Sequence, residues 1–71
     1  MKIAYLTIEV CGENSGFIEE TVYVNVDSIV EFHYIPKEKK TIISLTGENN
    51  YVYVKETPQE VIKAIKESDN E

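Results

Sequence analysis

Two side chains in the sequence could begin catalysis, since His33 is the only histidine and Cys11 is the only cysteine. His33 shares its strand parity with Glu31, and a Glu–His pair on one face could act as a general base. A general base also needs a positioned acid or nucleophile, which the spacing does not provide. The thiolate of Cys11 is disfavoured by the negative charges of Glu9 and Glu13. We therefore expect His33 to be an exposed strand residue and Cys11 to be an ordinary residue at a strand end.

The other residue types that carry chemistry also lack the necessary spacing. A structural zinc needs about four ligands, and one cysteine with one histidine is too few. The acids Glu13, Glu19, Glu20 and Asp27 do not follow the spacing of a calcium loop. We expect them to form a solvated acidic face. The three glycines form neither a phosphate-binding loop nor a dinucleotide fingerprint. The sequence predicts no cofactor, no metal site and no enzymatic activity.

Tyrosine is the most informative residue type for binding, because it buries a large ring while keeping a polar end. Tyr51 and Tyr53 share a face opposite Val52 and Val54, so the tyrosines lie outside if the valines enter the core. The alternative is that the tyrosines pack on a neighbouring strand or under the helix. The candidate partner-binding residues are Tyr51, Tyr53, Tyr23 and Tyr34.

A short basic cluster offers a different reading. Lys37, Lys39 and Lys40 follow Tyr34, and together they could contact phosphate and stack on a base. The alternative is that these lysines, which Glu38 interrupts, form a hairpin tip that only increases solubility. The net charge of −6 and the absence of arginine disfavour binding to nucleic acid or to an anionic membrane.

The length of 71 residues predicts a single domain, residues 1–71, with a small core. Chains of this size often need an additional source of stability. A lone cysteine excludes an internal disulfide, so we expect self-association into a homo-oligomer. No segment reaches the roughly 20 apolar residues that span a bilayer, and the beginning of the chain lacks a secretory signal pattern. With the single cysteine, this predicts a cytoplasmic protein.

Alternation of apolar and polar residues predicts about five strands. The predicted strands cover residues 2–10, 20–26, 29–35, 41–45 and 51–55. Turn residues separate them at Cys11–Gly16, around Asn25 and Asp27, and at Pro36–Lys40. In the third strand, we expect Val30, Phe32 and Tyr34 to share one face.

The helix start is the sharpest local signal in the chain. Thr57, Pro58 and Glu60 fit a capping box, with Thr57 as the N-cap and proline at the first helical position. An apolar stripe follows at helical spacing: Val61, Ile62, Ala64 and Ile65. We expect Val61, Ile62 and Ile65 to cover the valine-bearing side of the sheet, and Ser68–Glu71 to be frayed. The predicted fold class is α+β, an antiparallel β-meander of about five strands with one C-terminal helix packed on one face.

Three stretches of the chain resemble a known family: 24–29 (VNVDSI), 41–47 (TIISLTG) and 51–62 (YVYVKETPQEVI). Together they look like the FlbD-like flagellar and swarming motility family, over roughly residues 24–66. Residues 1–23 depart from that family by a longer loop. The resemblance implies a small cytosolic accessory or regulatory protein that acts by contact, without catalytic residues. A weaker likeness to LytTR-type DNA-binding domains implies the alternative, a nucleic-acid-binding module that uses the tip at Lys37–Lys40.

Overall fold

Five antiparallel strands and one helix make up the computed structural model, which describes residues 2–14 and 16–68. The strands are β1 (Ile3–Cys11), β2 (Phe17–Asn25), β3 (Ile29–Ile35), β4 (Lys40–Leu45) and β5 (Tyr51–Val54), and the helix is α1 (Pro58–Ser68). The predicted α+β class is confirmed. The second strand begins at Phe17 instead of Glu20, so the hairpin loop that precedes it is shorter than expected.

The strands form two hydrogen-bonded ladders, β1–β2 and β3–β4–β5. The ladders are joined at Thr7 on the edge of β1. Its carbonyl oxygen accepts a hydrogen bond from the Lys55 N–H at 2.8 Å, and its N–H donates to Glu56 Oε1 at 2.9 Å. The spatial order is therefore β2–β1–β5–β4–β3, with the end of β5 beside the middle of β1.

The core lies on the inner sides of the two ladders. The fully buried apolar side chains come from β1, β2, β4, β5 and α1: Ala4, Leu6, Val24, Ile43, Val54 and Val61. The alternation in the sequence placed Ala4, Leu6, Val24 and Val54 on their apolar parities. In the larger ladder, β4 and β5 meet at Thr41 and Val54, which are paired in register and both fully buried.

The helix begins as the capping box predicted. The Thr57 N–H donates to Glu60 Oε1 at 2.9 Å, and the Glu60 N–H donates to Thr57 Oγ1 at 3.3 Å. The prediction that Ile62 helps to cover the sheet is wrong, because Ile62 is 43% exposed. With about 3.6 residues per turn, the side that contains buried Val61 continues through Ala64 and Ile65 to Ser68.

The prediction that residues 68–71 are frayed can be compared with the structure only at Ser68. Ser68 is the last residue of α1 and is buried, so the prediction is wrong for Ser68. Its hydroxyl donates to the Ile65 carbonyl oxygen, which ties it to the preceding turn. Residues 69–71 lie outside the described part of the chain.

A β-bulge changes the predicted faces of β3. Ile29 is opposite Leu45 and Glu31 is opposite Ser44, which leaves Val30 as an extra residue. Val30 is consequently exposed, and it does not share a face with Phe32 as predicted. The turn before β3 follows the sequence signal, because Asn25 Oδ1 accepts a hydrogen bond from the Asp27 N–H at 3.0 Å. Within the described residues, no helix combines the length and apolarity that crossing a membrane requires.

Candidate partner-binding face

The first part of the site is a tyrosine pair on the outer side of β5. Tyr51 is opposite Ser44 and Tyr53 is opposite Ile42, on the side of the ladder away from Val54. The tyrosines are 52% and 39% exposed. Their rings meet edge to face, with centroids 5.7 Å apart and planes at 80°. The arrangement in which the valines point inward and these tyrosines lie outside is therefore the one that forms.

A second tyrosine pair lies on the outer side of the β1–β2 ladder. Tyr5 and Tyr23 are directly opposite each other in register, and their rings also meet edge to face at 5.4 Å. They are 60% and 70% exposed, and with Ile3 and Thr21 they line a shallow depression. The sequence prediction included Tyr23 but missed Tyr5. The signal was present, because Tyr5 has the parity opposite to Ala4 and Leu6.

An ionic network connects the outer sides of the two ladders. Glu9 and Glu19 are directly opposite each other in the β1–β2 ladder, an arrangement in which like charges repel. Lys55 Nζ hydrogen-bonds to Glu19 and lies 3.7 Å from Glu9 Oε2. Lys40 Nζ lies 3.2 Å from Glu9 Oε1. We call these four residues the lysine–glutamate bridge, because they connect the outer sides of the two ladders.

The environment of Lys55 favours its charged form. The hydrogen bond to Glu19 is the main cause of a raised pKa for Lys55, and the negative charges of Glu19 and Glu9 add to it. Partial desolvation acts in the opposite direction and is outweighed. Lys55 therefore offsets the repulsion between the two glutamates throughout the physiological pH range. The sequence predicted that Glu19 belongs to a solvated acidic face, whereas in the structure it pairs with Lys55.

We use the name outer face for the surface made by the two tyrosine pairs and the lysine–glutamate bridge. Strand parity places all of these side chains on the side of the strands away from the core. In sequence order they are Tyr5, Glu9, Glu19, Tyr23, Lys40, Tyr51, Tyr53 and Lys55. The outer face thus combines aromatic area with paired charges.

Tyr34 does not belong to this surface. It is opposite Thr41, which is opposite Val54, so its Cβ is on the inner side of the β3–β4–β5 ladder. It lies at the open edge of that ladder and keeps 37% of its surface exposed. The structure therefore places three of the four predicted tyrosines, together with Tyr5, on the outer sides of the two ladders, and it places Tyr34 on the inner side.

The basic cluster is also divided. Lys37 and Lys39 lie exposed in the turn between β3 and β4, where Lys39 adopts a positive φ of 57°. Lys40 begins β4, is half-buried, and pairs with Glu9. The tip therefore presents two lysines around Glu38, and the third is neutralised in the lysine–glutamate bridge.

His33 and Cys11, the two residues considered for catalysis, are both exposed. His33 lies with Glu31 on the outer side of β3, where they are opposite Ile42 and Ser44. The described part of the chain shows no side-chain hydrogen bond or ion pair at His33. Cys11 is an exposed free thiol at the end of β1. Among residues 2–14 and 16–68, no group of three or more acids, histidines or cysteines is arranged to hold a metal ion.

The outer face has the chemistry of a contact surface, since its rings supply apolar area and its hydroxyls and paired charges supply polar groups. It carries no nucleophile with a base beside it. Comparison with known proteins gives no assignment, because no family model, no curated protein and no solved structure matches the chain.

Proposed function

We propose that this chain is a small, non-enzymatic accessory or regulatory module that acts by protein–protein contact through its outer face. The resemblance to the FlbD-like flagellar and swarming motility family gives the same kind of role. We propose the cytoplasm as its setting, because its one cysteine is an exposed free thiol, which suits a reducing compartment.

One observation carries the proposal: four tyrosines of a 71-residue chain lie in two exposed edge-to-face pairs, one on the outer side of each ladder. None of them is needed to fill the core, which Ala4, Leu6 and Val24 fill from the smaller ladder and Ile43 and Val54 from the larger. Tyrosine loses little conformational entropy on binding and is enriched at protein interfaces. Rings that are already packed against each other lose less still.

The electrostatics support a protein partner over a nucleic acid. The net charge of −6 repels a phosphate backbone. Lys40 forms an ion pair with Glu9, so only Lys37 and Lys39 are available to contact phosphate at the tip. On the outer face, Lys55 is neutralised by Glu9 and Glu19 in the same way. A LytTR-like nucleic-acid function is therefore the less favoured alternative.

The test compares the double variant Tyr51→Ser/Tyr53→Ser with the control Ile62→Ser. Ile62 is an exposed apolar residue of α1 outside the outer face. Ile62→Ser therefore also replaces a large exposed side chain by serine, but at a different surface. Tagged forms of both variants and of the native chain are used to capture proteins from the source cells, and the captured proteins are quantified by mass spectrometry. We expect a specific partner to be held by the native chain and by the control, and to bind the double variant at least about 30-fold more weakly, as for a hot-spot tyrosine.

Circular dichroism and the thermal midpoint accompany that measurement. The double variant should keep the native spectrum, because the two side chains lie outside the core. Loss of the fold in the double variant would contradict the assignment of these tyrosines to a binding surface. Equal capture by all three forms would contradict the outer face as the contact region.

A further inference from the structure

The outer edge of β2 is open. Within the described residues, β2 forms a ladder with β1 alone, whereas the other edge of β1 is occupied by Lys55 and Glu56 at Thr7. Of the nine residues of β2, Val24 is buried and Val22 is half-buried, and the rest are exposed. An open edge presents unpaired N–H and C=O groups to whatever strand approaches it.

The hydrogen bonds at the two ends of the hairpin identify those groups. The Val26 N–H donates to the Lys2 carbonyl oxygen at 3.0 Å, and the Gly12 N–H donates to the Gly16 carbonyl oxygen at 2.6 Å. The register between these ends is uninterrupted, from Ile3↔Asn25 to Cys11↔Phe17. Hydrogen-bonded and non-hydrogen-bonded pairs alternate in an antiparallel ladder. The even-numbered residues of β2 therefore bond to β1, and its odd-numbered residues direct their N–H and C=O groups to the open edge.

The edge of β2 lacks most of the devices that usually prevent strand addition. The strand FIEETVYVN has no proline, no lysine and no bulge along its nine residues. By contrast, the edge strand β3 is interrupted by the bulge at Val30 and is followed by Pro36. Bulges, proline and charge are the common means of protecting an edge. On β2 only Glu19 and Glu20 carry charge, and Lys55 neutralises Glu19.

We propose that the open edge of β2 pairs with β2 of a second copy of this chain, antiparallel and with the two-fold axis at Thr21. The two β1–β2 ladders then form one four-stranded sheet, and the outer faces of both copies lie on the same side of it. This inference goes beyond the proposed function, because it concerns the edge of β2 and holds whether or not the outer face binds another protein.

The charges on β2 favour this register. Full overlap of the two strands places Thr21 opposite Thr21, Glu19 opposite Tyr23 of the second copy, and Glu20 opposite Val22 of the second copy. Threonine pairs and pairs that separate like charges stabilise antiparallel ladders. Moving the axis to Glu20 or Glu19 would place that glutamate opposite itself. The strand is thus complementary to itself in the register that also forms the most hydrogen bonds.

The dimer would also add apolar contact and backbone hydrogen bonds at the smaller ladder, whose edge strand β2 has a single buried residue, Val24. Pairing through β2 places exposed Ile18 opposite Val24 of the second copy on the inner side. It also satisfies the open-edge backbone groups of Phe17, Glu19, Thr21, Tyr23 and Asn25.

The test uses Thr21→Glu and the matched control Thr46→Glu. Thr46 is an exposed threonine in the turn after β4, so both variants change the net charge equally. Light scattering after size exclusion and sedimentation equilibrium measure the mass over a concentration series. We expect the native chain and Thr46→Glu to reach twice the monomer mass. Thr21→Glu places two glutamates opposite each other and should raise the dimer dissociation constant at least about tenfold.

A mixing experiment tests the position of the axis. A tagged Thr21→Lys chain mixed with untagged Thr21→Glu should capture it as a heterodimer, because position 21 then carries opposite charges across the axis. A tagged Thr21→Glu chain should not capture untagged Thr21→Glu. Circular dichroism establishes that each monomer is folded.

Three results would overturn the inference. The first is a native chain that stays monomeric at the highest concentration. The second is equal dimerisation of Thr21→Glu and Thr46→Glu, and the third is the absence of heterodimers in the mixture. The variant Tyr51→Ser/Tyr53→Ser keeps its β2 edge and should still dimerise, so failure of the dimer and failure of the proposed outer-face contact are separate observations.

Discussion

The strands β2 and β4 have opposite environments in the same small fold. Strand β4 lies between β3 and β5, and two of its six residues, Thr41 and Ile43, are fully buried. Strand β2 lies at an edge, and only Val24 of its nine residues is buried. Both sequences alternate and both are rich in β-branched residues. The number of neighbouring strands, and not the residue pattern alone, therefore decides how much a strand contributes to stability and how much surface it leaves for contact.

The largest expected difference between the two strands is in their apolar side chains. Ile43→Ala opens a cavity at a fully buried site and should lower the free energy of unfolding by about 2–5 kcal/mol. Ile18→Ala, on β2, removes a half-exposed side chain and should change it by less than about 0.5 kcal/mol. Urea denaturation followed by circular dichroism measures both.

Ile43→Val provides a folded reference if the alanine variant does not fold, with an expected cost of about 0.5–1.5 kcal/mol. Equal losses of unfolding free energy at positions 43 and 18 would mean that β2 contributes to the core as much as β4 does, which contradicts the difference in burial between the two strands.

Proline substitution distinguishes the two edges of β2. The Val22 N–H points toward β1, so Val22→Pro removes a ladder hydrogen bond and should cost about 1–3 kcal/mol. The Thr21 N–H points to the open edge, so Thr21→Pro retains every bond to β1. Measured in dilute solution, where the chain is monomeric, Thr21→Pro should be clearly the more stable of the two. The reverse order would show that the alternation of hydrogen bonds along β2 is assigned to the wrong residues.

The smallest expected effect is at the lysine–glutamate bridge, which joins the smaller ladder to the larger. Lys55→Ala leaves Glu9 and Glu19 directly opposed and should lower the thermal midpoint, more at low salt than at high salt. The additional change Glu19→Gln should recover part of the loss, because it removes one of the two opposed charges. Thermal unfolding of the single and double variants, each at two salt concentrations, measures this coupling.

The pH dependence of the same contact has a defined sign. Because the pKa of Lys55 is raised in the folded state, its stabilising contribution is fully present below the unfolded pKa of about 10.4 and is lost as pH rises through the folded value. The native chain and Lys55→Ala should therefore converge in stability in the alkaline range. A constant difference between them up to high pH would contradict the assigned contact.

Local features of this fold follow from the sequence because they depend on neighbouring residues. The capping box needs only Thr57 and Glu60, three positions apart, and the structure contains both of its hydrogen bonds. The turn at Asn25 likewise depends on a side chain that reaches two residues ahead. Alternation also placed Tyr51 and Tyr53 on the face opposite Val52 and Val54, but it left open whether that face lay outside the core.

Features that depend on which elements become neighbours could be established from the tertiary structure alone. Tyr5 and Tyr23 meet because of a ladder register, and Lys55, which follows β5, reaches Glu19 from 36 positions later in the chain. The bulge at Val30 and the exposure of Ile62 depend on how β3 and α1 meet their neighbours. The five strands, the helix and most of their apolar faces follow from the sequence, since these arise from periodicity and local hydrogen bonding. Their pairing partners, and hence the composition of the outer face and the open edge of β2, were decided by contacts between residues far apart in the chain.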